Sequence, residues 1–354
     1  MVPSPVATRS GPRHERVQLL DYTIRLAVSL LPVVLFLLTL IYLDSYKLLH
    51  LRLLLATLLA GCVMAVASLV ANGLLVDVAG VSADGYRHYG APFVEEALKG
   101  AWVVWLIARK RVGFMVDAAI VGFAVGAGFA IVENTWYIGS LETNNIVVWA
   151  VRGFGTAVMH GGTAAVFAII SKNLHDRSYD HNYAAYLPGW LVAAAIHSVY
   201  NHFLLSPVLS TVVLYVTLPV IIIGVFYRSE RGTREWLGTQ LDVDAELLEM
   251  IHTGRIGETR VGRYFRTVSE QFPPEMVVDM VCYLRLHVEL AVSAKGILMM
   301  REAGFQPKPP PGTEERLREL DHLERTIGTT GRLALKPFLH ASNKDLWQLY
   351  MLGK

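Results

Sequence analysis

The residues of this sequence whose types could do chemistry are a few acids, bases and histidines inside long apolar segments. Charged groups at membrane depth are costly, so they usually face a bundle interior or a watery cavity and mark a functional site. The candidate catalytic residues are the ionisable and amide side chains of these segments: Glu95, Glu96, Lys99, Glu133, His160, His197 and Asn201.

This set could hydrolyse a peptide bond. A glutamate beside an imidazole can take a proton from water and then pass one to a leaving amine. Lys99 lies four residues after Glu95, so on a helix it would support the charge of that carboxylate. His197 and Asn201 share a helix face by the same spacing and could donate hydrogen bonds to the oxyanion of the tetrahedral intermediate.

The same residue types could instead hold a metal ion. His160, His197 and Glu133 would supply three ligands to zinc and leave a fourth position open for water. No H-E-x-x-H motif occurs, so the spacing does not require a metal, and zinc is a candidate cofactor only. A serine hydrolase is disfavoured because the G-x-S-x-G signature is missing.

Each candidate also has a purely structural explanation. Glu95 and Glu96 could complement a helix dipole, Glu133 could pair with a cation, and a lone buried histidine is often a packing residue. Four separate segments, however, bring two carboxylates and two imidazoles to compatible depths. Glu95, Glu133 and His197 lie in the outer half of the bilayer, and His160 lies near its middle. This agreement favours one shared site. The alternative function is a non-catalytic scaffold or a proton-coupled transporter.

The elements that must position these residues are membrane helices. The chain has 354 residues, of which 53% are hydrophobic and 18% charged, against about 25% charged in a soluble domain. Residues 1–227 hold 26 charged residues, about 11%, whereas residues 228–354 hold 36, about 28%. The first part is too poor in charge to face water. The second part has the composition of a soluble domain.

Runs of about 20 apolar residues, long enough to cross a bilayer, predict seven spans. They lie near residues 24–43, 51–78, 91–108, 113–139, 147–171, 185–204 and 207–227. The fold class is therefore an all-α, polytopic membrane bundle of seven or eight spans, with a small C-terminal helical domain. The predicted units are a polar N-terminal segment (1–22), the membrane domain (23–227) and the soluble domain (228–354).

Lysines and arginines in short loops predict the orientation. Those at 109–111 and 228–234 place the soluble domain in the cytoplasm of a cell-membrane protein. Seven spans would then leave Arg9, Arg13 and Arg16 outside, against the rule. This conflict predicts either an eighth membrane segment or a misplaced first span.

Four motifs occur in order on successive apolar segments: E-E-x-x-K at 95–99, E-N-x-x-Y at 133–137, a histidine followed by glycines at 160–162, and H-x-x-x-N at 197–201. Together they resemble the PrsW family of intramembrane proteases, which belongs with the type II CAAX-processing proteases. The resemblance covers roughly residues 20–227. It implies a membrane protease that cleaves membrane-anchored protein substrates, of which anti-sigma factors are an example.

The resemblance also implies a role for each candidate residue. Glu95 would activate water, with Glu96 and Lys99 in support. Glu133 and His160 would complete the polar centre, and His197 with Asn201 would stabilise the oxyanion. Members of the superfamily are treated either as glutamic proteases or as metalloproteases, so the metal remains open.

The soluble domain lies outside the resemblance. Its apolar periodicity predicts a helix over 273–304 and, after the linker at 307–312, another that begins at Thr313. Binding of a cytosolic partner, regulation and simple stabilisation are its alternative roles. Nucleic acid is not an expected partner, because the net charge of the whole chain is only +2.

Overall fold

The computed structural model describes residues 12–44, 48–80, 82–141, 143, 145–177, 183–202, 204–335 and 337–339. Over these residues the chain is helical and forms no strand, which confirms the all-α prediction for this part of the chain. The predicted N-terminal segment is described only from residue 12, and the soluble domain only to residue 339.

Seven helices occupy the positions of the seven predicted spans. They are α1 (Pro12–Leu43), α2 (Leu51–Ala79), α3 (Ala83–Ala108), α4 (Met115–Ser140), α5 (146–177), α6 (Leu187–Asn201) and α7 (Pro207–His252). Five of them, all except α3 and α6, are long and apolar enough to cross a membrane. The prediction of a membrane helical bundle is confirmed.

The two remaining helices are those that carry most of the candidate residues. Helix α3 has Glu95, Glu96 and Lys99 near its middle. Helix α6 has 15 residues, which at 1.5 Å per residue span about 22 Å, less than a hydrocarbon core of about 30 Å. Both helices pack against α5 and against each other, so their polar residues can face protein rather than lipid.

Helix α4 is the centre of the bundle. All of its residues from 116 to 130 are buried, and it packs against α2 on one side and α5 on the other. Small residues permit this close approach, as in other membrane bundles. A methyl group added at Gly126 would overlap the backbone carbonyl oxygen of His160 on α5. The glycine therefore fixes how near His160 lies to α4.

Helix α5 changes its winding along its length. It begins as an α-helix over Ile146–Ala150, widens into a π-helix over Val151–Ala157, and returns to an α-helix over Val158–Arg177. A π-helical turn holds more residues than an α-helical turn and often lies at a functional site. Here it directly precedes His160.

The C-terminal helical module consists of the second half of α7 with α8 (Arg260–Ser269), α9 (Pro274–Glu302) and α10 (Thr313–Leu335). Helix α9 supplies the largest share of the apolar core, and α10 packs against it. Helices α9 and α10 match two helices that the sequence predicts in this region. A third, short helix, which the sequence predicts after a capping-box pattern at 342–345, lies outside the described residues.

The module packs on one end of the membrane bundle. Leu48, from the α1–α2 connection, and Phe114, which precedes α4, are both buried in the apolar core of the module. The Phe114 ring also contacts Trp236 of α7, with the ring centres 6.5 Å apart. The N-terminal end of α1 therefore lies at the opposite end of the bundle.

The conflict over the N-terminal arginines is not resolved by an eighth helix. Within the described residues α1 is one continuous helix from Pro12, and no further membrane helix accompanies the seven. Arg9 lies outside the described residues.

Helix α7 joins the membrane bundle to the module without a break. It has 46 residues and is therefore about 69 Å long at 1.5 Å per residue. Ile222 and Phe226 pack in the bundle, and Leu237 packs in the module. The predicted domain boundary at 227/228 falls inside this helix, because the composition changes there while the helical backbone continues.

Candidate functional site

The carboxylate of Glu96 accepts three hydrogen bonds inside the bundle. Glu96 is 1% exposed. Its Oε1 atom accepts hydrogen bonds from Lys99 Nζ at 2.5 Å, His197 Nδ1 at 2.8 Å and Thr163 Oγ1 at 3.0 Å. These donors come from α3, α6 and α5, so one oxygen atom ties three helices together.

The neighbouring Glu95 has different partners. Its Oε1 accepts a hydrogen bond from Asn72 Nδ2 of α2 at 3.3 Å, and Tyr86 Oη donates to Asn72 Oδ1 at 3.0 Å. The sequence predicts that Lys99 supports Glu95, but the ammonium group bonds Glu96. Lys99 and Glu96 are both buried in the bundle, whereas Glu95 faces α2 and is partly exposed.

Lys99 also determines which ring nitrogen of a neutral His160 carries the proton. The fully buried Nζ atom of Lys99 lies 3.1 Å from His160 Nδ1 and 4.8 Å from the centre of the Phe129 ring. An ammonium group has only donors, so Nδ1 must accept and the proton of a neutral imidazole must sit on Nε2. That Nε2 atom lies 2.7 Å from Glu133 Oε2, which accepts its proton in a hydrogen bond.

His197 has the opposite tautomer. A carboxylate only accepts, so His197 donates from Nδ1 to Glu96, and its Nε2 atom keeps a free lone pair. This Nε2 atom lies 3.8 Å from Glu95 Oε2. The His197 ring stands edge-on to the His160 ring, with the ring centres 4.8 Å apart.

Glu95, His160 and His197 form a group that could hold a metal ion. Each offers one ligand atom, and these atoms lie within 4.8 Å of one another. Because both ring nitrogens of His160 are hydrogen-bonded, a metal ion on His160 would take the place of either Lys99 at Nδ1 or the Nε2 proton that Glu133 accepts. Two imidazoles with one carboxylate are a known ligand set for a catalytic zinc, which keeps a further position open. The sequence predicts Glu133 as the third ligand; in the structure Glu95 joins the histidines, and Glu133 forms a hydrogen bond with His160.

Three further features fit a cation here. The hydrogen bond from His197 Nδ1 to a carboxylate is the arrangement that orients metal-binding histidines. Glu96 Oε2 is buried and has no hydrogen-bond partner. The centre also holds three carboxyl groups, those of Glu95, Glu96 and Glu133, beside the side chains of Lys99 and Arg152. Carboxylate oxygens are ligands for divalent cations.

The centre reaches the protein surface through two of its acids. The Glu133 side chain is 26% exposed and the Glu95 side chain 16% exposed, whereas the side chains of Glu96, Lys99 and His160 are at most 1% exposed. These two side chains are therefore the parts of the centre that are accessible from outside the bundle.

Asn201 makes its hydrogen bond away from these groups. Its Nδ2 atom donates to the backbone carbonyl of Arg87 at 3.3 Å. Arg87 precedes Glu95 by eight residues, about 12 Å along α3. The bond ties the end of α6 to the start of α3.

Sequence reasoning missed several residues of the centre. Thr163 bonds Glu96, Asn72 bonds Glu95, and Arg152 lies 3.4 Å from Glu133. Each contact joins two different helices, so the spacing of residues along the chain does not predict it. Arg152 in particular belongs to the π-helix, and its position therefore does not follow the α-helical period.

The fold and the centre together define a polytopic helical membrane protein with buried glutamates and histidines. The sequence profile described as PrsW family intramembrane metalloprotease matches residues 49–226, about half of the chain and all of the centre. The chain belongs to this family and is therefore an intramembrane protease. No curated protein and no solved structure matches the chain.

Proposed function

We propose that the protein cleaves a peptide bond of membrane-anchored protein substrates at this centre, with Glu95, His160 and His197 as metal ligands. The observation that carries the proposal is the convergence of these three side chains, from three helices, within 4.8 Å. When bound, a metal ion such as zinc supplies Lewis acidity for a peptide carbonyl and for water.

Glu133 is placed to move the proton. It is the most exposed acid of the centre, and its Oε2 atom lies 2.7 Å from His160 Nε2. A carboxylate so placed can accept a proton from water and return it to the leaving amine.

The remaining candidate residues hold this arrangement. Glu96 orients His197 through the hydrogen bond to Nδ1. Lys99 neutralises Glu96 and keeps His160 turned so that its Nε2 atom faces Glu133. Asn201 positions α6 against α3 through Arg87. None of these three groups needs to touch the substrate.

The test begins with membranes from cells that produce equal amounts of the wild-type chain, Glu95→Gln or His197→Ala. New protein N-termini that appear only with the wild type identify the substrate and the bond that is cut. A labelled single-span peptide containing that bond then gives rates with purified protein. We expect both variants to lose activity by about 100-fold or more. The control is His252→Ala, an exposed histidine at the end of α7, which retains full activity.

A chelator separates the two mechanisms. For a metal-dependent enzyme, chelation abolishes wild-type cleavage and added zinc restores it. Cleavage that survives complete metal removal would instead assign the activation of water to Glu95 in a glutamic mechanism. Normal cleavage by Glu95→Gln and His197→Ala would overturn the site itself, and proton flux by a wild type without cleavage would favour the transporter.

We also propose that residues 228–339 form a cytoplasmic unit of a cell-membrane protein. Arg109, Lys110 and Arg111 lie in the α3–α4 connection, at the end of the bundle that carries the module, and such clusters favour the cytoplasmic side. Its role is recognition of a cytosolic partner. Protease protection of a C-terminal tag in sealed cells supports this orientation, and cleavage of the tag from outside refutes it.

A further inference from the structure

Arg152 is a buried cation whose Nη2 atom has an ion-pair contact but no hydrogen bond. It is 9% exposed. Its Nε atom donates to Asn134 Oδ1 at 3.0 Å, and its Cζ atom lies 3.7 Å from the centre of the Tyr137 ring. The Nη2 atom lies 3.4 Å from Glu133 Oε1 but makes no hydrogen bond, although it is fully shielded.

This arrangement is costly if Arg152 serves packing alone. A charged side chain inside a membrane bundle needs compensation, and an unpaired buried donor loses its hydration without replacement. Asn134 and Tyr137 hold the guanidinium group in place through its Nε atom and its face, and neither of them accepts a hydrogen bond from Nη2. A fixed donor with free capacity beside a proton-accepting carboxylate is suited to a group that arrives with the substrate.

Glu133 links Arg152 to the rest of the centre. Its Oε1 atom faces Arg152 Nη2, and its Oε2 atom accepts from His160 Nε2 at 2.7 Å. A water molecule activated by Glu133 would therefore attack a carbonyl carbon close to the guanidinium group. Asn201 uses one of its two amide N–H groups to bond the Arg87 carbonyl.

We propose that Arg152 is a further catalytic residue, whose Nη2–H donates to the oxygen of the scissile carbonyl as negative charge develops on it. This inference rests on the proposed function of the centre. Glu133 takes a proton from water, the water oxygen bonds the carbonyl carbon, and the π electron pair moves to the carbonyl oxygen, where Arg152 donates. When the pair returns, the C–N bond breaks and the nitrogen takes the proton from Glu133.

The residue types around Arg152 explain why it is arginine and not lysine. The planar guanidinium group stacks on the Tyr137 ring while a different nitrogen bonds Asn134, and a point charge cannot do both. Donors that are fixed before the reaction stabilise developing charge without reorganisation.

The test uses purified full-length Arg152→Ala and Arg152→Lys with the labelled single-span peptide that the wild type cleaves. We expect kcat of Arg152→Ala to fall by about 100- to 1,000-fold, as when a donor to an oxyanion is removed, with KM changed less than threefold. Arg152→Lys recovers only a small part of this loss. The exposed arginine at the start of α2 provides the matched control, and Arg52→Ala retains the wild-type kcat.

Added guanidinium ion separates a chemical role from a structural one. At millimolar concentration it should restore part of the kcat of Arg152→Ala in a saturable manner, and should not restore Glu95→Gln. Folding is followed in parallel by thermal unfolding in detergent. A folded Arg152→Ala with near-wild-type kcat, a loss confined to KM, or a folded, inactive variant that guanidinium does not rescue would each overturn the inference and leave the proposed function intact. Failure of the wild type to cleave any membrane protein would overturn both.

Discussion

Lys99 and Lys295 are two of the lysines that are almost completely buried in the described part of the chain, and they lie in different surroundings. Lys99 in the membrane bundle bonds Glu96 at 2.5 Å and lies over the Phe129 ring. Lys295 in the module bonds Asp244 at 2.5 Å and lies over the Trp236 ring. The pairs have the same chemistry. Within the described residues, however, the one metal-capable group of histidines and acids lies beside Lys99.

The comparison shows that a buried ion pair does not by itself make a site. The module pair lies on α7 and α9 among the apolar side chains of the module core, where it joins two helices. The bundle pair shares its oxygen and its ammonium group with two histidines, which in turn contact Glu95 and Glu133. These additional ionisable groups distinguish the bundle pair from the module pair.

The largest expected difference concerns activity. Glu96→Gln and Asp244→Asn each remove one negative charge with little change of shape. We expect Glu96→Gln to lower kcat/KM by about 10- to 100-fold, because the partner that orients His197 is weakened. Asp244→Asn should leave kcat/KM within about twofold in the same assay. Equal losses in the two variants would contradict the distinction between the pairs.

The second test of the comparison concerns stability, for which we expect the two pairs to behave alike. Lys99→Met and Lys295→Met each leave a buried carboxylate without its cation. We expect the free energy of unfolding to fall by about 3–5 kcal/mol in each variant, since breaking one side of a buried pair is strongly destabilising. Denaturant titration in detergent micelles measures it. A Lys99→Met variant that is as stable as the wild type would show that the histidines, and not the ion pair, hold the bundle together there.

A smaller effect is expected from the packing that places His160. Gly126→Ala forces a methyl group against the His160 carbonyl, so we expect a loss of about 1–3 kcal/mol and reduced activity. Gly224→Ala on α7 is the matched control, because nothing lies within 4 Å of the added methyl group. That variant should be neutral or more stable, by up to about 1 kcal/mol. Thermal unfolding and the cleavage rate are measured on both proteins.

The smallest effect is expected when the whole module pair is replaced. The double variant with Lys295→Met and Asp244→Leu removes both charges and keeps the volume. Such replacements are often neutral or stabilise by about 1–4 kcal/mol. The unfolding free energy and the cleavage rate should therefore equal or exceed the wild-type values. A large loss of activity would reveal a role of the module pair in the reaction.

The sequence predicts the helices better than it predicts their contacts. Apolar length is a local property, so helices appear at all seven predicted positions, and five of them are long and apolar enough to cross a membrane. The E-E-x-x-K and H-x-x-x-N motifs also place Glu95, Glu96 and His197 on the helices that meet. The match of the family profile over residues 49–226 agrees with the resemblance that these motifs carry.

What the sequence did not reveal depends on geometry between helices. Whether Glu95 or Glu133 groups with both histidines depends on the rotation of α3 and α4, which periodicity does not fix. Arg152 was missed because a π-helical turn interrupts the α-helical period. The continuity of α7 was missed because composition, not backbone, changes near residue 228.

The continuity of α7 also sets a rotational phase between the two parts of the protein. An inserted residue between Phe226 and Trp236 would turn the module by about 100° and advance it by about 1.5 Å relative to the bundle. Trp236 would then leave the Phe114 ring that it contacts. Insertions of a whole number of turns nearly restore the angle but lengthen the rod. The number of residues in this segment therefore determines the angle and the distance between the module and the bundle, independently of the side chains.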